Sequence, residues 1–187
     1  MSPMAKGANV ALTREVPGLK GLVVGVDWDA GAERFLHDSL TLLTVLCGSD
    51  RKALSQEHVV HFNQMVSADL STGHVADTMG DDDEQVEVDL SGVPDEVQRI
   101  VFVLYVNEGG GGRRTLGQLR RLVVRVLNLD GGASVVTTND LVPGLRGETA
   151  LSLVELYRHS GDWKLRVLGA GYSDGLKGVA RDFGVNL

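Results

Sequence analysis

The chain has a single cysteine, Cys47, in 187 residues. One thiol excludes an internal disulfide framework and a cysteine-based zinc site. Cys47 follows Leu42, Leu43, Val45 and Leu46, so a buried, inert thiol is the expectation. No apolar run approaches the ~20 residues that a membrane helix needs, and the opening Met1–Gly7 has no apolar segment of signal-peptide type. A cytoplasmic protein without stable membrane insertion is the default reading. Positive charge is also in deficit: 25 acidic residues against 18 basic ones leave a net charge of −7. That balance argues against general binding of nucleic acid or anionic membranes. Aromatics make up only 5% while glycines number 24, which points to many turns and a core of Val and Leu. Catalytic signatures are missing too. There is no Gly-x-Ser-x-Gly elbow and no phosphate-binding loop, and the glycines at 109–112 lack the spacing and the lysine of one. No residue reads as a nucleophile, so the chain is not expected to be an enzyme.

What the chain does have is a block of acid. Gly80 is followed by Asp81, Asp82, Asp83 and Glu84, then by an alternating run in which Val86, Val88 and Leu90 take one face and Glu87 and Asp89 the other. Four consecutive carboxylates at the mouth of a strand repel one another. They must be dispersed in solvent, screened by cationic side chains or neutralised by a hard cation. Calcium suits the last role because it takes several oxygen ligands in flexible geometry. The pattern is not an EF-hand, whose spaced Asp/Asn positions, central Gly and closing Glu are absent.

About ten short strands separated by turn signals suggest a single all-β domain, a sandwich of two sheets with a few short helices. Residues 7–14 read as a first strand ending at Pro17-Gly18. Leu22–Val26 reads as a second, running into Asp27-Trp28-Asp29 with both carboxylates on one side and the indole on the other. Residues 30–38 read as loop, Leu40–Cys47 and Val59–Phe62 as strands, and 64–83 as a long polar loop of the kind that is usually functional or disordered. Pro94–Arg99 suggests one helical turn and Ile100–Val106 a central strand. Strands follow at Val123–Leu127 and Val135–Thr138, then a hairpin across residues 159–162. Leu176, Val179, Ala180 and Phe183 have helical spacing, with Ser173 or Asp174 as cap.

His58 and His61 would point to opposite faces of a strand, and His37, His74 and His159 stand alone. Arg113, Arg114, Arg120, Arg121 and Arg125 form a basic segment. It reads as a solvated edge strand whose charges discourage aggregation, with an acidic partner or a phosphate as the other reading.

Several motifs taken in order resemble the tellurium-resistance TerD family. They are Lys6–Thr13, Val16–Leu19, Gly25–Asp29, Gly80–Leu90, Val93-Pro94, Ile100–Phe102, Glu148–Ala150, Glu155–Arg158, Trp163-Lys164 and Ala180–Val185. The resemblance covers nearly the whole chain and implies a two-sheet β-sandwich, calcium binding at acidic loops and a role in bacterial stress responses including tellurite resistance. It also implies company with related paralogues. Carried over by residue, the implied calcium ligands are Asp38, Asn63, Asp69, Asp77, Asp81, Asp82, Asp83 and Glu84. The family's pattern is incomplete, since Leu36 stands where the family has an aspartate and the loop around Asp77 is shortened. Fewer charges and a tighter loop weaken calcium affinity. The resemblance therefore leaves two expectations: a non-enzymatic calcium-binding stress protein, or an interaction scaffold that has lost its metal.

Overall fold

Side-chain alternation builds this molecule, and the computed structural model describes it over residues 2–107 and 112–187. The elements run in the order β1 (Asn9–Ala11), α1 (Leu12–Glu15), β2 (Gly21–Asp29), α2 (Arg34–Ser39), β3 (Leu40–Cys47), β4 (Val59–Val60), β5 (Thr72–His74), β6 (Glu84–Asp89) and β7 (Arg99–Val106). After these come β8 (Arg121–Asn128), β9 (Ser134–Thr137), β10 (Ala150–His159), β11 (Asp162–Tyr172) and α3 (Leu176–Phe183). They form two antiparallel sheets, a six-stranded one in the order β1-β11-β10-β7-β3-β4 and a five-stranded one in the order β5-β6-β2-β8-β9.

The two sheets close over one apolar core, to which β2 and β6 contribute Val24, Val26, Val86 and Val88, and β3 and β7 contribute Leu42, Leu46, Phe102 and Leu104. The strands β3 and β7 are apolar on both faces for a structural reason. Their outer side chains Leu43, Val45, Cys47, Val101 and Val103 pack under Val179 and Phe183 of α3. A strand buried on both faces reads as a continuous hydrophobic run. The β10–β11 hairpin turns through Ser160 (φ 51°) and Gly161 (φ 82°), the paired left-handed conformation that matches strand twist in a two-residue turn.

The two-sheet reading holds, as do the hairpin, the central β7 and the C-terminal helix. Several local expectations need correction. Residues 7–14 give only a three-residue strand before α1 interrupts it. The stretch 30–38 contains α2, and the long polar loop contains β5, which pairs with β6 from Thr72↔Val88 to His74↔Val86. The 94–99 segment makes one turn, with Val97 N–H donating to Pro94 O (3.0 Å), and no helix. Neither Ser173 nor Asp174 caps α3. Gly175 holds that position without a side-chain bond, and Asp174 pairs with Arg181 instead. The basic segment is not an edge strand, because β8 lies inside its sheet between β2 and β9. The glycine run 109–112 reads from the sequence as a loop with no fixed conformation, and its residues 109–111 lie outside the described residues.

Candidate functional site

The acidic block enters the sheet where β2 ends. In antiparallel register Val26 faces Glu84 and Gly25 faces Gln85 on one side of β2. On its other side Gly25 faces Arg125, Asp27 faces Val123 and Asp29 faces Arg121. Residues directly opposite across strands share a face. Gln85, Gly25 and Arg125 therefore form one row on the outer face of the five-stranded sheet, while Val26, in the core, sets the inner face for Glu84.

Glycine at 25 decides what fills that row. A Cβ there would overlap the Asp82 carboxylate, which lies directly over the Gly25 backbone. Asp82 Oδ1 accepts from Arg125 Nε at 2.9 Å and from Arg125 Nη2 as well. Its Oδ2 accepts from Gln85 Nε2 at 2.8 Å. The Asp82 side chain keeps only 2% of its exposure, so of the three fates open to the acidic block this carboxylate takes screening by a cationic side chain. The Asp82 bond and charge raise the Arg125 pKa further above its already high value. One step along the same face, Arg121 Nη2 pairs with Asp27 Oδ2 at 2.6 Å.

The next two acids point elsewhere. The Asp83 N–H donates to Val26 O (2.8 Å). Its carboxylate accepts from the Trp28 N–H (2.8 Å) and lies 3.5 Å from His37 Nε2. Glu84 reaches between the sheets, where Oε2 accepts from the Leu42 N–H of β3 (3.1 Å) and sits 3.3 Å from His74 Nε2. Burial lifts the Glu84 pKa to about 7, against the Leu42 bond and with help from Asp83. Burial also raises Asp83, outweighing its Trp28 bond and the nearby His37. Burial lowers His74, so its neutral form is favoured.

The remaining residues of the implied ligand set are dispersed. Asp38 is exposed on α2, Asn63 is exposed beyond β4, and Asp77 and Asp81 are exposed in the approach to β6. Asp69 forms its own small centre, with Oδ1 accepting from Ser67 Oγ (2.7 Å), Ser71 N (2.9 Å) and Ser71 Oγ (2.7 Å). Burial opposes its charge, yet the Ser71 and Ser67 bonds prevail and hold its pKa below the usual carboxylate value. His58 Nε2 lies 3.9 Å from its other oxygen. Among the described residues no three His, Cys, Asp or Glu side chains converge as a metal ion requires. Both Asp82 oxygens are occupied, and among the described residues Asp69 Oδ2 is the one side-chain atom of this set that is buried without a hydrogen-bond partner. As arranged, this set does not fit calcium, which needs six or more oxygen ligands.

Arg121 and Arg125 stand in the basic segment read from the sequence, and screening by cations is one fate read for the acids, but that reading does not join the arginines to the acidic block. Arg121 and Arg125 are an even number of residues apart on a strand, so they share a face, and that face is the one Asp27 also occupies. His37 and His74 gave no signal, because each meets its carboxylate only through tertiary pairing. Cys47 is as expected: fully buried, with burial pushing its thiol up to about 12.

The match to known proteins spans the whole fold. The TerD domain family model matches residues 1–183. Tellurium resistance protein TerD of Serratia marcescens is 34% identical over 98% of this chain and 97% of its own length. General stress protein 16U of Bacillus subtilis is 34% identical with the same coverage. Chemical-damaging agent resistance protein B of Clostridium acetobutylicum is 33% identical over 68% of this chain and 94% of its own. Among solved structures, a homologue of telluride resistance protein TerD from Streptomyces coelicolor A3(2) superposes with a TM-score of 0.65 at 19% identity, covering 87% of this chain and 96% of that one. A family model covering nearly every residue, with relatives above 30% identity along their full length, places this chain in the TerD family.

Proposed function

We propose that this chain is a non-enzymatic stress-response protein of the tellurite-resistance type, acting in the cytoplasm by binding, and that its acidic end is held by its own cations instead of by calcium. The observation that carries the reading is the Asp82 carboxylate, sealed over Gly25 and bonded to Arg125 and Gln85. A guanidinium fork supplies the charge and the paired donors that a carboxylate needs. Relatives named for tellurium resistance and for general stress supply the broader role. Thiol chemistry is not expected of Cys47, since a thiolate is the nucleophilic form and burial holds Cys47 far from it.

Titrating calcium into chelator-stripped protein, with magnesium as control, tests the metal part. The expected result is no saturable heat. Saturable heat with calcium alone would overturn it and make Asp82, Asp83 and Glu84 the first ligands to mutate. Tellurite resistance conferred on a sensitive bacterial host tests the rest, with the Cys47→Ser variant expected to protect as well as the wild type. Loss of protection in that variant would put thiol chemistry back at the centre.

A second reading, calcium binding, has one observation in its favour. Asp69 Oδ2 is buried without a hydrogen-bond partner, and a cation is one way to satisfy such an oxygen. In that case the titration gives heat that Asp69→Asn removes.

A further inference from the structure

The outer face of the five-stranded sheet carries a groove along the β5–β6 pair. It has a volume of about 420 Å³, and its apolar lining comes from Val66, Leu70, Val75 and Leu129. Its floor is Gly73, which pairs directly with Glu87, and Glu87 and Asp89 form its acidic rim.

Three features set this groove apart from ordinary surface. First, Leu70 is the most exposed large hydrophobic residue among those described, at 79%, and it sits in the left-handed region at φ 65°. That conformation is costly for a non-glycine residue. It is held by the Asp69 carboxylate, which binds the buried Ser67 and Ser71 on either side of Leu70. The leucine is thus displayed on a rigid mount. Second, exposed apolar residues concentrate here: Val66, Leu70 and Leu129 line the groove, and Met65 precedes Val66. Third, the groove's acids have no cation. Among the described residues neither Glu87 nor Asp89 makes a salt bridge, whereas Asp27, Asp82 and Glu155 each pair with an arginine; the Asp89 carboxylate accepts only the Ser91 N–H of its own turn (3.1 Å).

Strand addition is not the binding mode, because the free side of β5 is already covered. His74 N–H donates to Met65 O (2.7 Å) and Ser67 N–H to Thr72 O (2.9 Å). The groove admits side chains instead. We infer that it is a docking site for a partner protein segment presenting a large apolar side chain flanked by lysine or arginine. The apolar side chain would fill the space over Gly73 between Leu70 and Leu129, and the flanking cations would meet Glu87 and Asp89. Apolar anchors in a groove supply affinity and rim charges supply selection. The inference deepens the reading of this chain as a binding protein. Its test involves neither calcium nor tellurite, so the two fail separately.

The probes are fluorescently labelled peptides with Arg-Leu-Arg, Arg-Gly-Arg or Glu-Leu-Glu at the centre, followed by anisotropy. Saturable binding of the Arg-Leu-Arg peptide is expected, at least ten-fold tighter than either of the others and weaker at high salt. Gly73→Val fills the groove floor and should weaken binding ten-fold or more. The variant should fold, since a Cβ at Gly73 meets only Met65 O at 3.6 Å and Val66 Cγ2 at 3.7 Å. Glu87→Lys should weaken the Arg-Leu-Arg peptide and improve Glu-Leu-Glu. The inference is overturned if no peptide binds saturably, if Gly73→Val binds as well as the wild type, or if Glu-Leu-Glu matches Arg-Leu-Arg. Concentration-dependent self-association that Gly73→Val abolishes also overturns it, because the occupant is then a second copy of this chain.

Discussion

Asp82 is the residue on which the acidic end depends. If the four acids only repelled one another, neutralising Asp82 would leave stability unchanged or improve it. The Arg125 and Gln85 bonds reverse that sign. Removing one member of a buried pair strands the other. Because Arg125 keeps a third of its exposure, Asp82→Ala should cost about 2 kcal/mol, below the usual loss for a fully buried pair, read from urea unfolding midpoints. Gly25→Ala should cost a similar amount, since its Cβ evicts the same carboxylate. The double variant should cost clearly less than the sum, because both changes break one interaction. Glu84 makes a second prediction, about pH. Its folded pKa of about 7 lies above the ordinary 4.5, so the folded state holds the proton more tightly than the unfolded chain does. The resulting stability is fully present below pH 4.5 and is lost as pH rises through about 7. His74 has the opposite sign: its lowered pKa contributes stability above its ordinary 6.5 that is lost as pH falls. Comparing wild type with Glu84→Gln isolates the carboxyl. The glutamine variant should match the wild type near pH 4 and exceed it by on the order of 2 kcal/mol near pH 8. A flat difference across that range would show that Glu84 titrates normally.

At the scale of elements, α3 is the piece that makes two central strands apolar on both faces. Val179 and Phe183 cover Leu43, Cys47 and Val101, and the helix end is tied down by the bond from Ala53 N–H to Phe183 O (2.9 Å). Phe183→Ala should cost about 3 kcal/mol by removing a buried aromatic from that layer. It should also speed the reaction of Cys47 with a thiol reagent under native conditions, because the helix is the lid over that thiol. Labelling that speeds up only in step with the lost global stability would mean that Cys47 is reached by global unfolding and not by loss of the helix. The same layering explains which elements could be read in advance. The spans of β3 and β7 were legible because both their faces are buried, and α3 because its four apolar residues have helical spacing. The element α2 was not, because Leu36 is its single buried residue. Nor was β5, whose three residues include a glycine and become a strand only through β6. The site divided the same way. The acidic block announced itself by local composition, but its partners Arg125 and Leu42 lie 43 and 42 residues away. The register of β2 with its two neighbours brings Arg125 to Asp82, and the packing of one sheet on the other brings Leu42 to Glu84.

On the whole molecule, the net charge of −7 is organised by direction. The bend into β6 turns consecutive acids to different surroundings: Asp82 onto the outer face under Arg125, Asp83 beside His37, and Glu84 between the sheets beside His74. Arg125 neutralises Asp82 and burial lifts the Glu84 pKa to about 7, so the end of the sandwich carries less uncompensated charge than its composition implies. If these internal cations do the work of a metal, removing one should create a need for a metal. Arg125→Gln leaves Asp82 beside Asp27 and Asp81, whose charges already act on position 125. That variant should lose about 2 kcal/mol by leaving a buried carboxylate unpaired. Millimolar calcium should then restore part of its melting temperature, since any ion that binds only the folded state stabilises it by mass action. The wild type should not respond. Equal responses in both proteins would show that calcium acts elsewhere, and no response in either would mean that the carboxylates freed by the loss of Arg125 cannot gather around an ion.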